Sequence, residues 1–229
     1  MTTPSWAERY SRQILLKEIG GKGQRLLAQA RVGIVGAGPA GRNALLYLAA
    51  AGVGELRVAD AALPVAATSQ ALSLNPTLRI VPDPLPLAPS WMAGLDLILA
   101  CDHPLDRLNP MATQLGKPLL ATWITHHGTC WIAGSRAGRD RSLPCLACPP
   151  PPVEDDALPP DPAREALATL WHPVAGTILA GEALMALLDL GKQEVWTTLL
   201  AHDALHGVYQ RLPHAKDPHC PVCAHRVTP

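Results

Sequence analysis

A glycine-rich turn between a strand and a helix constrains the fold of this chain more than any other feature. Gly36, Gly38 and Gly41 fill the pattern G-x-G-x-x-G directly after the apolar run Arg31–Val35 and before a segment with helical spacing. The first glycine permits a tight turn, the second lets backbone approach a phosphate, and the third lets the helix pack on the strand. The pattern is typical of a nucleotide-binding α/β domain.

An acidic residue stands where such a domain holds the sugar of its nucleotide. Asp60 ends the second predicted strand, "ELRVAD", and a carboxylate at that place can accept hydrogen bonds from ribose hydroxyls. Strand, glycine turn, helix and acid follow one another in the required order, which favours nucleotide binding over a merely tight turn. These residues alone do not separate NAD from ATP.

The rest of the chain alternates between short apolar runs and amphipathic stretches. Helices are predicted over Arg9–Ala30, with a break at "GGKG", over Pro39–Ala51, with a stop at Gly52, and over 104–116. Further strands are predicted over Thr77–Val81, Leu95–Cys101, 117–124 and 127–134. This alternation predicts an α/β fold, a Rossmann-like doubly wound and mainly parallel sheet with antiparallel strands late in the chain.

The 229 residues suffice for one sizeable domain and are few for two. We expect a single domain over 1–229, with N-terminal helices over 1–30 and a nucleotide-binding core over 31–144. A proline-rich crossover loop follows over 149–162, where prolines exclude helix interiors and sheet ladders. The part 163–229 would hold a helix over Val174–Gly191, C-terminal strands and a cysteine-bearing tail.

The charge balance and the termini exclude several classes of protein. Nineteen basic and nineteen acidic residues give no net charge, so neither a nucleic-acid nor an anionic-membrane surface is expected. The polar start "MTTPSWAERYSRQ" is unlike a signal peptide, and no apolar run reaches the length of a membrane span. A cytoplasmic protein is expected.

Four of the six cysteines form two chelating pairs, "CLAC" and "CPVC". In a chain without an export signal, this spacing favours metal over disulfides. Four thiolates make a closed tetrahedral zinc site with no open position for chemistry. The zinc is therefore predicted to be structural and to connect the C-terminal tail to the crossover loop. Its ligands would be Cys145, Cys148, Cys220 and Cys223. Since four cysteines complete the shell, the histidines are interpreted as surface or supporting groups; these are His126, His127, His202, His206, His219 and His225.

With these features in hand, the chain resembles the ThiF/MoeB/HesA family, bacterial relatives of the ubiquitin-activating enzymes. The resemblance runs through "RYSRQILLKEIGGKGQRLLAQARVGIVGAG", "LLYLAAAGVGELRVAD", "LNP", "CDHPLDR", "CLAC", "HPVAGTILAGEALMALL", "HDAL" and "DPHCPVC". It implies a homodimer that binds ATP and magnesium and adenylates the C-terminal Gly-Gly carboxylate of a small ubiquitin-like sulfur carrier.

The resemblance also implies roles for individual residues. Gly36, Gly38 and Gly41 would cradle the nucleotide and Asp60 would hold its ribose. Asp102 matches the acid that binds magnesium, and Arg12 matches the arginine that reaches across the dimer to the phosphates. The alternative interpretations are a satisfied strand-end aspartate and a surface arginine.

The chain departs from the family pattern after the second strand. Relatives carry a long arm there with an arginine and a lysine for the phosphates, whereas this chain has no Lys or Arg from Ala61 through Leu78. Only a neutral "TSQ" stretch, Thr68–Gln70, stands in the arm. Loss of such cations typically costs several kcal/mol of transition-state stabilisation, about a thousandfold in rate. Substitutes would come from the partner subunit or from Arg42, Arg79 or Arg107.

A second departure concerns covalent transfer. Some family members carry a cysteine after the crossover loop, and the matching position here is near Ala163. Cys101 and Cys130 lie in apolar runs and are interpreted as core residues. Thioester or persulfide chemistry by this chain alone is therefore not expected.

Three functions remain open at this point. The first is a divergent adenylyltransferase of the ThiF/MoeB kind. The second is a catalytically inactive relative that binds a carrier or peptide tail or pairs with an active homologue. The third is an NAD-dependent oxidoreductase, which the cysteine pairs and tail motifs disfavour.

Overall fold

A computed structural model of the chain describes residues 5–61, 63–83, 85, 87–125, 129–149, 162–203 and 206–224. Its helices and strands alternate through the first half of the chain, as the sequence predicts. The helices are α1 (Trp6–Arg9), α2 (Ser11–Ile14), α3 (Gly20–Gln29), α4 (Pro39–Ala51), α5 (Val65–Leu74), α6 (Leu105–Gln114), α7 (Pro162–Thr169) and α8 (His172–Leu188). The strands are β1 (Arg31–Val35), β2 (Glu55–Ala59), β3 (Arg79–Asp83), β4 (Leu97–Cys101), β5 (Leu119–Ile124), β6 (Thr129–Ser135), β7 (Thr198–Asp203) and β8 (Val208–Pro213).

All eight strands join one sheet in the order β3-β2-β1-β4-β5-β6-β7-β8. The first five pair in parallel, and β5, β6, β7 and β8 pair in antiparallel fashion. This is the predicted Rossmann-like fold with antiparallel C-terminal strands. The chain moves outward in one direction from β1 to β3 and in the other from β4 onward, so the topology reverses between β1 and β4.

Side-chain alternation along the central strands builds a core on each face of the sheet. Ile34 and Leu99 pack beneath α4 and α8 on one face, whereas Val35 and Ala100 pack beneath α6 and a short 3-10 helix, Pro89–Met92, on the other. Because both faces are covered, the central strand Leu97–Cys101 is apolar and buried at every position.

Several predicted boundaries are wrong by a few residues. The "GGKG" stretch does not break the N-terminal helices but forms the first turns of α3, which begins at Gly20. The third strand begins at Arg79 rather than Thr77. Helix α8 starts two residues early and ends at Leu188, where Asp189 adopts a left-handed conformation with φ 53° and stops the helix before Gly191. The predicted stop of α4 at Gly52 is confirmed, with φ 96°.

The segment that replaces the expected arm is a single short helix. Helix α5 follows Pro64 and packs against α4 through its buried residues Ala67 and Ala71. Thr68–Gln70 lie within this helix. The crossover loop between 150 and 161 lies outside the described residues. Among the described helices, none is both long and apolar enough to cross a membrane.

Candidate functional site

The predicted nucleotide-binding residues meet at the point where the sheet topology reverses. Strands β1 and β4 are neighbours and parallel, and Gly36 and Asp102 directly follow their last residues. In open α/β sheets, ligands bind in the crevice outside the carboxyl ends of the strands at this switch point. We call Gly36, Gly38, Gly41, Asp60 and Asp102 the carboxyl-edge site.

A side chain at each of the three glycines would meet different surroundings. Gly36 has φ 93°, and a Cβ there would lie 2.3 Å from the carbonyl oxygen of Cys101. A Cβ on Gly41 would lie 1.9 Å from the carbonyl oxygen of Gly36, so only glycine lets α4 pack on the turn. A Cβ on Gly38 would meet nothing within 4 Å. The turn is therefore tightly packed beneath and open above Gly38.

Helix α4 begins at this open position. Gly38 is its N-cap and Pro39 its first residue, whose missing N–H leaves no unpaired donor at that position. The N–H groups of the first turn and the helix dipole then favour an anion in the open space.

Asp60 braces the glycine turn from the β2 side. Its Oδ2 accepts a hydrogen bond of 2.6 Å from the backbone N–H of Ala37, between the first two glycines. The structure thus places Asp60 beside the nucleotide turn, where the sequence predicts a ribose-binding acid.

Arg42 contacts the same residue, Ala37, from the helix side. Its Nε donates a hydrogen bond of 3.0 Å to the carbonyl oxygen of Ala37. An anionic and a cationic side chain therefore hold the two polar groups of one alanine. This contact links residues five apart across a turn, and the sequence pattern gave no sign of it.

Asp102 is held by a histidine that sequence reasoning missed as a site residue. The Nδ1 atom of His172, the first residue of α8, forms a short contact with Oδ2 of Asp102. Asp102 has φ 52°, an uncommon conformation for a residue other than glycine and one that often marks functional sites. Burial raises the pKa of Asp102, whose side chain is only 22% exposed, and the hydrogen bond and charge of His172 oppose that rise.

Helices α4 and α8 converge on the site through direct contacts. A Cβ on Gly176 would lie 2.0 Å from the carbonyl oxygen of Ala40, so the two helices touch at backbone distance. Asn43 Nδ2 donates to the carbonyl oxygen of Pro173 at 2.9 Å. These contacts fix His172 next to Asp102. The only sequence signal was the "HP" dipeptide at the start of an apolar helix.

A cavity of about 660 Å³ opens beside Asp102 and His172. Its walls come from the ends of β4 and β5, the start of α6 and the chain around Leu146, and they include Trp123 and Leu105. Such a mostly apolar cleft with a few convergent polar groups is the usual form of a ligand site.

The structure separates the three arginines that could replace the missing arm. Arg79 stands at the start of β3, at the opposite edge of the sheet, where its Nη1 is 3.2 Å from Glu55 Oε2. The expectation that Arg79 could substitute is therefore wrong. Arg107 lies on α6 at a different cavity, of about 830 Å³. Arg42 alone of the three contacts the glycine turn. Arg12 lies on α2 and is exposed.

The two cysteines near the site are buried and poorly ionised. Cys101 lies directly beneath Gly36 and Gly41, and burial raises its pKa. Burial also raises the pKa of Cys130, to about 11. The side chain of Ala163, at the place of the family cysteine, is exposed on α7. These observations agree with the interpretation of Cys101 and Cys130 as core residues.

The four predicted metal ligands form one buried cluster. Sγ atoms of Cys145 and Cys220 are 3.6 Å apart, those of Cys148 and Cys223 are 3.5 Å apart, and all four lie within 4.8 Å of one another. Tetrahedral zinc with Zn–S bonds of about 2.3 Å sets neighbouring sulfurs about 3.8 Å apart. The cluster therefore fits one zinc-sized ion, and none of its cysteines is in a disulfide.

Hydrogen-bond donors surround these sulfurs. Cys145 Sγ lies 3.6 Å from Asn109 Nδ2 and 3.4 Å from the N–H of Ala147, and the N–H of Asp217 lies 3.5 Å from Cys148 Sγ. Donors of this kind stabilise thiolates and orient metal ligands. With no fifth position free for chemistry, the cluster can join the tail to the body of the protein but cannot act as a catalytic metal site.

One histidine is buried where a surface position was predicted. His202 is 6% exposed and lies between Trp171 and Tyr209, with ring centroids at 4.1 and 4.0 Å. Burial lowers its pKa, and Asp203 opposes this. The interpretation of His202 as a surface group is wrong because β7 turns that side chain toward α8. His126, His127 and His225 lie outside the described residues.

Comparison with known proteins gives a consistent result. Residues 10–63 match the model of the ThiF family. The chain is 32% identical to a sulfur carrier protein adenylyltransferase of Thermus thermophilus, over 96% of this chain and 92% of that protein. It is 31% identical to a SAMP-activating enzyme E1 of Haloferax volcanii, over 94% of this chain and 88% of that protein.

The fold also matches a solved structure. The crystal structure of Escherichia coli MccB superposes with a TM-score of 0.76 at 15% identity, over 98% of this chain and 75% of that chain. The alignment with the Thermus protein spans 262 positions, more than the 229 residues of this chain. It therefore contains positions at which the relative has residues and this chain has none.

Proposed function

Because this chain belongs to the ThiF family, we propose that it is an ATP-dependent adenylyltransferase. Its substrate would be the C-terminal carboxylate of a small ubiquitin-like or sulfur-carrier protein. One observation carries the proposal: the glycine turn and Asp102 lie side by side at the topological switch point, beside a cavity of about 660 Å³. The named activities of the Thermus and Haloferax relatives support it.

The residues of the carboxyl-edge site fit a nucleotide. Open space above Gly38 and the N-terminus of α4 would receive the phosphates, and Asp60 would face the ribose. Asp102 would hold magnesium, with His172 fixing the orientation of its carboxylate. Magnesium, when bound, supplies positive charge that offsets the negative charge of the phosphates.

The proposed reaction requires little covalent chemistry from the protein. A carboxylate oxygen of the carrier tail attacks the α-phosphorus of ATP, the bond to the β,γ-phosphates breaks, and acyl-adenylate and pyrophosphate result. The contribution of this chain is to position both reactants and to balance charge. The cavity beside Asp102 would receive the extended carrier tail.

The cysteine cluster has a separate role in this proposal. Zinc held by its four thiolates would tie the segment after β6 to the C-terminal tail, 75 residues further along the chain. It would stabilise the fold and take no part in the reaction. A homodimer, with Arg12 reaching the partner's phosphates, completes the proposal and would supply a further cation.

A catalytically inactive binding protein is the second candidate. The observation that favours it is α5, which offers no cation where the family has an arm. Such a protein would keep the tail-binding cavity and bind a carrier without activating it. The glycine turn, which remains fully formed, favours the enzyme.

Isotope exchange between pyrophosphate and ATP distinguishes the two candidates. The assay would use the purified chain with magnesium and, as substrate, a small protein from the same genome that ends in Gly-Gly. The proposal predicts exchange that requires the carrier and is lost when its last glycine is removed. Carrier binding without exchange would support the inactive binding protein instead.

A further inference from the structure

In the family, an arginine and a lysine of the arm contact the phosphates of ATP, and this chain has neither from Ala61 through Leu78. The structure offers one replacement. We infer that Arg42 binds the phosphates of ATP in this chain, in place of the missing arm. The inference rests on the proposed function, because it assigns a role within the same nucleotide site.

Position is the first support. Arg42 is the fourth residue of α4, and its Nε is 3.0 Å from the carbonyl oxygen of Ala37, next to Gly38. Both Nη groups are bonded to the same carbon as Nε, so the whole guanidinium group lies beside the turn. It therefore stands next to the only glycine of the turn whose Cβ position opens into empty space.

The second support is that Arg42 has no competing anion. Arg57, Arg79 and Arg211 each form an ion pair, with Glu55 or Glu194. Arg42 pairs with no carboxylate in the part of the chain that the structure describes, and the one hydrogen bond of its side chain there goes to a neutral carbonyl group. An exposed guanidinium held by a neutral partner keeps its other N–H groups available for phosphate oxygens.

The order of charges along the turn matches the order of groups in a nucleotide. Asp60 accepts a hydrogen bond from the N–H of Ala37, and Arg42 donates one to the carbonyl oxygen of Ala37. The acid therefore contacts the Gly36–Ala37 peptide and the base contacts the next one, Ala37–Gly38. A ribose toward Asp60 directs the phosphates toward the start of α4 and hence toward Arg42. The dipole of α4 favours the same anion at the same place.

The experiment compares ATP with adenosine in calorimetric titrations of the purified protein, three variants of Arg42 and one control variant. Arg42→Ala should weaken binding of magnesium ATP about tenfold or more and leave adenosine affinity unchanged. Arg42→Gln keeps an N–H donor for Ala37 and loses the charge, so it should behave like the alanine variant. Arg42→Lys keeps the charge and should retain most of the ATP affinity.

Arg107→Ala is the matched control, since Arg107 is an exposed arginine on α6 that does not contact the glycine turn. It should bind ATP like the wild type. If Arg42→Ala binds ATP as tightly as the wild type, or if it loses ATP and adenosine equally, the inference is wrong while the proposed function stands. A wild-type protein that binds no ATP overturns both.

Discussion

The cysteine cluster and the carboxyl-edge site are both assembled from distant parts of the chain, but they differ in completeness. The cluster has four ligands at metal-binding distances and N–H donors around them. The carboxyl-edge site has its turn and its acids, whereas Arg42 is the one arginine or lysine side chain that hydrogen-bonds to the turn among the described residues. In our proposal, the complete cluster would hold the fold together, and the site that would perform chemistry has fewer cations than the family resemblance implies.

This difference shows that the two parts are under separate physical constraints. Loss of one thiolate opens a closed metal site and removes binding energy that is also folding energy. Loss of a phosphate-binding cation leaves the fold unchanged, and another cation can serve from a different element. The following predictions test that separation.

The largest effect is expected at the cluster. Cys220→Ser should lose about one zinc per chain and destabilise the protein by about 4 kcal/mol, lowering Tm by about 8–16 °C. Metal analysis and thermal unfolding measure both. Cys130→Ser is the control, a buried cysteine outside the cluster, and it should keep its zinc. A metal-free wild type, or a Cys220→Ser variant of unchanged Tm, contradicts the structural role.

A large effect on activity with none on folding is expected at Asp102. Asp102→Asn preserves shape and removes the charge that would hold magnesium, so carrier-dependent pyrophosphate exchange should fall about a hundredfold or more. Tm should change little, because the side chain is partly exposed and forms one side-chain hydrogen bond within the described residues, to His172. Asp106→Asn, in the first turn of α6, is the matched control. Equal activity in the two variants would show that Asp102 does not take part in the reaction.

Two of the three glycines, Gly41 and Gly38, should separate stability from binding within one turn. In Gly41→Ala the new Cβ would lie 1.9 Å from a carbonyl oxygen, so we expect a loss of about 3 kcal/mol of stability. Gly38→Ala has room and a φ of −63° that alanine adopts, so stability should change by no more than about 1 kcal/mol.

Gly38→Ala should instead weaken ATP binding about tenfold, because its methyl group enters the space for the phosphates. Denaturant unfolding and ATP titration of both variants measure the two effects. A Gly38→Ala variant with unchanged ATP affinity would show that the phosphates do not approach this turn.

The smallest effect is expected from alkylation of Cys101 and Cys130. Burial raises the pKa of both thiols, that of Cys130 to about 11, so at pH 8 about one Cys130 thiol in a thousand is ionised. Iodoacetamide at pH 8 should leave both unlabelled, and labelling of Cys130 should rise with pH toward 11. After chelation of zinc, the four cluster cysteines should react first. Rapid labelling of Cys101 or Cys130 at pH 7 would reveal a reactive thiol that burial does not allow.

Sequence alone predicted the features that depend on local backbone geometry or on ligand spacing. The glycine turn, the stop of α4 at Gly52 and the four cysteines belong to this class, because a positive φ or a chelating pair requires particular residue types. The fold followed from the alternation of strands and helices.

Features that depend on tertiary contacts were not predictable in the same way. His172 and Asp102 are 70 residues apart, and His202 is buried only because Trp171 and Tyr209 enclose it. Helix α5 was missed because "VAATSQALSL" has no charged residue to mark a polar face, and its buried alanines pack on α4. In each case the role of the residue depends on distant residues that contact it in the fold, and the local sequence pattern does not show them.

Titration of the purified protein with magnesium ATP, repeated with NAD, tests the central claim most directly. An adenylyltransferase built on this site should bind ATP saturably, at one molecule per chain, and should bind NAD far more weakly or not at all. Binding of NAD in preference to ATP, or of neither nucleotide, would contradict the claim that this edge of the sheet activates a carboxylate with ATP.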